Sequence, residues 1–183
     1  MGAAIKTLAI DPGSKPGYSV QDRLQQMSRR FCTAPTARII EVATRYADLR
    51  LAGKHVDATA TEGQDPASTR RRGEGKRVDE RDILTLARTT GAQLYRAAIC
   101  CTAAYVLPVR IWKNAVIVDG FGMPKAVYCN RIEASLHPCE LALLNAVAPV
   151  GAPARLDVLD SIAINWALDL LDLPAKYAWK MAP

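Results

Sequence analysis

The chain has no CxxC pair, only two histidines (His55 and His137), and no uninterrupted apolar run long enough to span a bilayer. Each absence removes a class of protein. Its five cysteines are odd in number and lack paired spacing, which argues against a disulfide framework and, with so few histidines, against a structural zinc site. Cys32, Cys129 and Cys139 are scattered, and Cys100 and Cys101 lie in the apolar run AAICCTAAYV. Cys100 and Cys101 read as small core residues, and the cysteine usage as a whole fits a reducing compartment such as the cytoplasm. The most apolar stretches, Ala97–Val109 and Val158–Leu173, are cut by Arg110 or by carboxylates. They fall short of the roughly 20 apolar residues a span needs, so a membrane is not an expected partner. The opening MGAAIKTLAID lacks the apolar core of a signal peptide.

What is present is an ordinary globular balance. Half of the 183 residues are hydrophobic, enough for one domain over 1–183 with a proper core. Lys and Arg number 24 against 18 Asp and Glu, a formal charge of +6 that raises the question of a polyanionic partner.

Ile5–Ile10 ends at Asp11-Pro12-Gly13 and reads as a strand stopped by a turn, with Gly17–Val20 returning as a second strand. A third strand is expected near Arg29–Thr33. Between Thr36 and Leu51 the residues Ile39, Ile40, Val42, Ala43, Tyr46 and Ala47 keep helical spacing, which predicts a helix. Val56–Thr61 alternates and reads as a strand leading to Glu62. Residues 63–78 carry no large apolar residue before Val78 and read as a flexible, basic loop. A helix is predicted over Asp79–Ala104 and a strand over Val106–Val118, interrupted at Trp112-Lys113-Asn114. Pro124 and Pro138 open helices running to Leu136 and Val147, and a last helix covers Leu156–Leu173. This order describes an α/β layer fold.

Four carboxylates stand out as a group. Asp11 and Glu62 lie just past strand ends, and Asp157 and Asp160 lie three apart at the start of an otherwise apolar helix. Singly, each has an ordinary reading as a turn residue, a solvated loop group or a charge favoured by the helix dipole. Asp160 fits such a reading least, because Leu156, Val158, Leu159, Ile162, Ala163 and Ile164 leave little room for an idle charge. Strand ends in an α/β sheet share an edge, and a helix crossing the sheet can bring its own carboxylates there. Gathered carboxylates repel one another unless cations lie between them. Hard oxygen ligands without His or Cys select Mg²⁺ or Mn²⁺, and two such ions about 4 Å apart serve in-line phosphodiester hydrolysis. On a basic chain the pattern suggests a metal-dependent nuclease.

At these residues the sequence resembles the RuvC family of Holliday-junction resolvases, within the ribonuclease H-like superfamily. LAIDPGSKPGYSV resembles the family's opening strand, DPG turn and returning strand, and Glu62 in TATEGQ resembles its glutamate. LDVLDSIAINWAL resembles the closing D-x-x-D helix, and WKNAVIVDGFGMPKAVYCNRI resembles the stretch between them. The resemblance implies a ribonuclease H-like fold, a mixed five-stranded sheet flanked by helices. It implies a homodimeric endonuclease placing paired nicks in four-way DNA junctions, with two Mg²⁺ or Mn²⁺ ions per site held by Asp11, Glu62, Asp157 and Asp160. Asp11 would bridge both ions, Glu62 and Asp160 would hold one each, and Asp157 would complete the second site or orient the attacking water. Lys113 and Lys125 fall where family members carry DNA-facing lysines.

The chain also departs from that pattern. Family members often place an aromatic wedge after the glutamate, whereas no Phe, Tyr or Trp occurs here between Glu62 and Tyr95. The loop carries Arg70, Arg71, Arg72, Lys76 and Arg77 instead, a cluster suited to salt-dependent contact with junction phosphates. The stretch Gln21–Arg30 is base-rich as well. Three other readings stay open: a broader ribonuclease H-like nuclease acting on flaps, branched DNA or RNA–DNA hybrids; a nucleotide-phosphate-binding fold using the DPG turn; and a non-catalytic DNA-binding module.

Overall fold

Alternating apolar residues on either side of the Pro-Gly turn build the first hairpin. β1 (Ala4–Asp11) and β2 (Gly17–Leu24) pair antiparallel, from Ala4 opposite Leu24 to Asp11 opposite Gly17. The structure, a computed structural model, describes residues 4–13, 15–24, 37–63 and 80–171. β3 (Ala37–Ala43) adds antiparallel to β2, β4 (Val56–Gly63) pairs parallel with β1, and β5 (Cys101–Pro108) pairs parallel with β4. The result is the expected mixed five-stranded sheet, in the order β3-β2-β1-β4-β5. Because β1, β4 and β5 run the same way, their C-terminal ends share one edge.

Helices cover both faces. α1 (Glu80–Ala98) lies over β4, β5 and β1, against the face that carries Leu8, Ile10 and Tyr18. On the other face α5 (Arg155–Leu170) crosses β2, β1 and β4. α2 (Val109–Val116) and α3 (Lys125–Ala134) pack on α5, and α4 (Pro138–Val147) packs on β3. From Val158 to Asn165 every residue of α5 is buried, as expected of a helix that is apolar nearly all round. Among the described residues no helix is long and apolar enough to cross a membrane.

Buried polar groups pin α5 in place. Asn165 accepts a hydrogen bond from Thr7 Oγ1 on β1 (2.9 Å) and donates to the Ser19 carbonyl on β2 (2.9 Å). Glu140, buried in the first turn of α4, accepts from the backbone N–H groups of His137 and of Ile39 on β3, both at 2.8 Å.

Several boundaries differ from those expected. The predicted helix over Thr36–Leu51 is instead β3 followed by a single 3₁₀ turn at Tyr46–Asp48. The cause is a bulge: Val20 pairs with Glu41 and Gln21 with Ile39, so Ile40 has no partner in the register. That extra residue puts Ile39 and Val42 on the same face, three apart, which imitates a helical period. The predicted strand near Arg29–Thr33 lies outside the described residues. The helix predicted to Ala104 ends at Ala98, where Cys100 N–H bonds the Ala97 carbonyl, and Cys101 begins β5. The strand predicted over Val106–Val118 stops at Pro108, whose missing N–H and fixed φ favour opening α2. Lys113 therefore sits on a helix beside the buried Trp112.

The Asn165 bridge yields a stability prediction. Asn165→Ala should orphan buried groups on β1 and β2 and cost about 2–4 kcal/mol, read as a lower urea midpoint at unchanged m-value. A cost within a few tenths of a kcal/mol would show that the bridge does not secure α5.

Candidate active site

The parallel register sets Ile10 opposite Thr61, so the next residues, Asp11 and Glu62, lie side by side at the strand ends. Alternation from Ala9 and Ala60, both in the core under α5, aims these two carboxylates at the α5 face. The helix comes unusually close there. A Cβ on Gly17, opposite Asp11 in the hairpin, would collide with the carbonyl of Asp157, so only glycine lets the first turn of α5 rest on β2. That contact carries Asp157 and, one turn on, Asp160 to the same edge. Asp11 and Asp160 are buried, 7% and 3% exposed, while Asp157 and Glu62 are half-buried.

A lysine lies among them. Pro124 precedes α3, and Lys125 is the first residue of that helix. Its Nζ lies 2.7 Å from Asp157 Oδ1, 2.9 Å from Asp160 Oδ2 and 3.7 Å from Asp11 Oδ2. On the next turn of α3, Cys129 donates its thiol to Asp160 Oδ1 at 3.7 Å. Lys113 stands at the Glu62 side, its Nζ 5.2 Å from the Trp112 ring centroid and 4.9 Å from that of Tyr128, a two-ring cation–π cradle.

The electrostatics follow from burial and crowding. Burial, then the charges of Asp160 and Glu62, hold the Asp11 carboxyl well above its ordinary range. Burial and Asp160 push Glu62 up to about 7, against the opposing pull of Lys113 and Lys125. Burial disfavours the Lys125 ammonium, yet Asp160 and Asp11 outweigh it and hold its proton more tightly than in water. Burial and Asp160 raise the Cys129 thiol and the Tyr128 phenol. Cys129 is thus a neutral donor to Asp160 rather than a thiolate.

Asp11, Glu62, Asp157, Asp160, Lys113 and Lys125 therefore converge on one edge. Arg70, Arg71, Arg72, Lys76 and Arg77 lie outside the described residues. Two features escape the sequence reading. Lys125 faces the carboxylates, and Cys129 supports Asp160; the i, i+4 spacing of these two residues was the available signal. All-oxygen donors suit a hard divalent cation. Among the described residues no three His, Cys, Asp or Glu side chains are arranged to hold a metal ion as they stand. The position between Asp11, Asp157 and Asp160 is filled by an ammonium, a cation of the sign these donors require.

The raised Glu62 pKa has a sign that can be tested. Without metal, folded Glu62 keeps its proton up to about pH 7, whereas the unfolded chain loses it near 4.5. The folded state binds more protons across that window, so its stability falls as pH rises through it. Thermal unfolding in chelator should show that decline for wild type and a flatter profile for Glu62→Gln; an equal decline in both would place the effect elsewhere.

No family model matches the chain, and no curated protein matches it. Among solved structures, T. thermophilus RuvC in complex with Holliday junction substrate aligns with a TM-score of 0.56 and 17% identity, covering 91% of this chain and 93% of that chain. At that identity the likeness establishes a shared fold, the ribonuclease H-like arrangement of a mixed five-stranded sheet flanked by helices.

Proposed function

We propose that the chain is a metal-dependent endonuclease that hydrolyses phosphodiester bonds in branched DNA, four-way junctions above all. The observation that carries this reading is the convergence of Asp11, Asp157 and Asp160 on a single cationic group, with Glu62 alongside, at the C-terminal edge of a ribonuclease H-like sheet. A neighbour of the same fold is described with a Holliday junction substrate, which supports the choice of DNA.

When bound, two Mg²⁺ or Mn²⁺ ions would supply an activated water and neutralise charge developing on the phosphate. This chain's residues would hold and orient them. Asp11, at the centre of the edge, would touch both ions; Glu62 and Asp160 would hold one each. Asp157, with its side chain 26% exposed, stands nearest solvent and would orient the attacking water or complete the second site. Lys113, cradled by two rings, would contact strand phosphates, as would the bases between Arg70 and Arg77. Paired nicks call for two copies of the site, and Leu84 and Tyr95 of α1, with Ile99 just past its end, are exposed apolar residues fit for a homodimer contact. Residues 63–78 lack an aromatic wedge, which favours one further reading, a broader nuclease on flaps, branched intermediates or RNA–DNA hybrids.

With Mg²⁺ or Mn²⁺ the purified chain should nick a synthetic four-way junction symmetrically. Asp11→Asn and Asp160→Asn should each lower the rate by about a thousandfold or more while leaving junction binding in place. Undiminished nicking by either variant would overturn the assignment, and equal rates on linear duplex and junction would move the substrate to the broader class.

A further inference from the structure

We propose that Lys125 is the resident cation of the metal-free site and that divalent metal enters by exchange with its ammonium. This rests on the metal-dependent reading above and goes beyond it in naming the competitor that metal must displace.

The geometry resembles an occupied site more than a surface ion pair. An ammonium has three N–H donors, and this one has three carboxylates within 3.7 Å: Asp157 Oδ1, Asp160 Oδ2 and Asp11 Oδ2. Asp160 is the hub. Its side chain is 4% exposed, one oxygen meets Lys125 and the other accepts the Cys129 thiol, so it stays in place whichever cation it faces. The ammonium stands where a cation shared by Asp11, Asp157 and Asp160 would stand. A divalent ion placed there would stand beside a like charge in a poorly solvated pocket, so the two cations exclude each other.

Lys125 is also built to leave. It is the first residue of α3, directly after Pro124, and its side chain is 43% exposed. Rotation about its own side-chain bonds carries the ammonium to water without moving the helix. In the metal-free protein it neutralises part of the carboxylate charge and keeps the edge folded. In the metal-bound protein that work passes to the ions. The apparent metal affinity is then the intrinsic affinity scaled by the fraction of molecules with Lys125 swung out.

The test titrates Mn²⁺ by calorimetry into the full-length wild type, Lys125→Met, Lys125→Gln and Lys113→Gln, with thermal unfolding of each in chelator and in Mn²⁺. Both Lys125 variants should bind Mn²⁺ about tenfold or more tightly than wild type, corresponding to a Lys125-out population near one in ten. They should melt below wild type in chelator and gain more from Mn²⁺; a Lys125 variant that folds only with Mn²⁺ supports exchange equally. Lys113→Gln removes the same charge from the Glu62 side without vacating the space between the carboxylates, and should tighten binding less. Mn²⁺ binding by wild type with no tightening in either Lys125 variant would overturn exchange and leave the metal reading standing. Equal tightening in Lys113→Gln would overturn it too, reducing the effect to net charge. Absence of Mn²⁺ binding in every protein would overturn both readings.

Discussion

Four carboxylates on one edge of a buried sheet repel one another, and the structure depends on how that repulsion is met. Asp11 and Asp160 have almost no contact with water, so solvent cannot screen them. Burial and mutual charge drive Asp11 and Glu62 toward their protonated forms, while the same field holds Lys125 charged. A fold would not retain so unfavourable a cluster through packing alone. Protonation relieves part of that repulsion, and Lys125, reaching in from α3, lies among three of the carboxylates and offsets more of it.

The remainder of the fold brings these groups to one place. Parallel pairing of β1 with β4 sets two carboxylates side by side, and Gly17 lets α5 lie directly on β2 to deliver two more. Asn165, Ser19 and Thr7 fasten the middle of that helix to the strands beneath it. Arg155 fastens its start, donating to Glu133 Oε1 (2.8 Å) and Oε2 (3.0 Å) at the end of α3. The helix carrying Asp157 and Asp160 is thereby tied to the helix carrying Lys125, which keeps the base of the Lys125 side chain within reach of the carboxylates.

The parts legible in the sequence were those with a local cause. The Asp-Pro-Gly turn marks the end of β1, Pro124 and Pro138 mark the starts of α3 and α4, and Asp160 stands out because its neighbours are apolar. β3 was not legible because the bulge at Ile40 places Ile39 and Val42 at a helical interval, and only pairing with β2 decides between the two periods. α2 was hidden by the apolar run on both sides of Pro108. The partnership of Lys125 with Asp157 and Asp160 joins residues some thirty positions apart, 32 in the case of Asp157. No local pattern encodes it, and a lysine beside a nuclease site reads first as a DNA contact.

An edge that is a cation site holding its own surrogate must give up that surrogate when metal is supplied. A crystal structure with Mn²⁺, phased to reveal anomalous scatterers, addresses this directly. Two manganese peaks are expected about 4 Å apart among Asp11, Glu62, Asp157 and Asp160, with the Lys125 ammonium withdrawn from between them. Manganese bound elsewhere, or an edge still holding Lys125 at saturating Mn²⁺, would contradict that expectation.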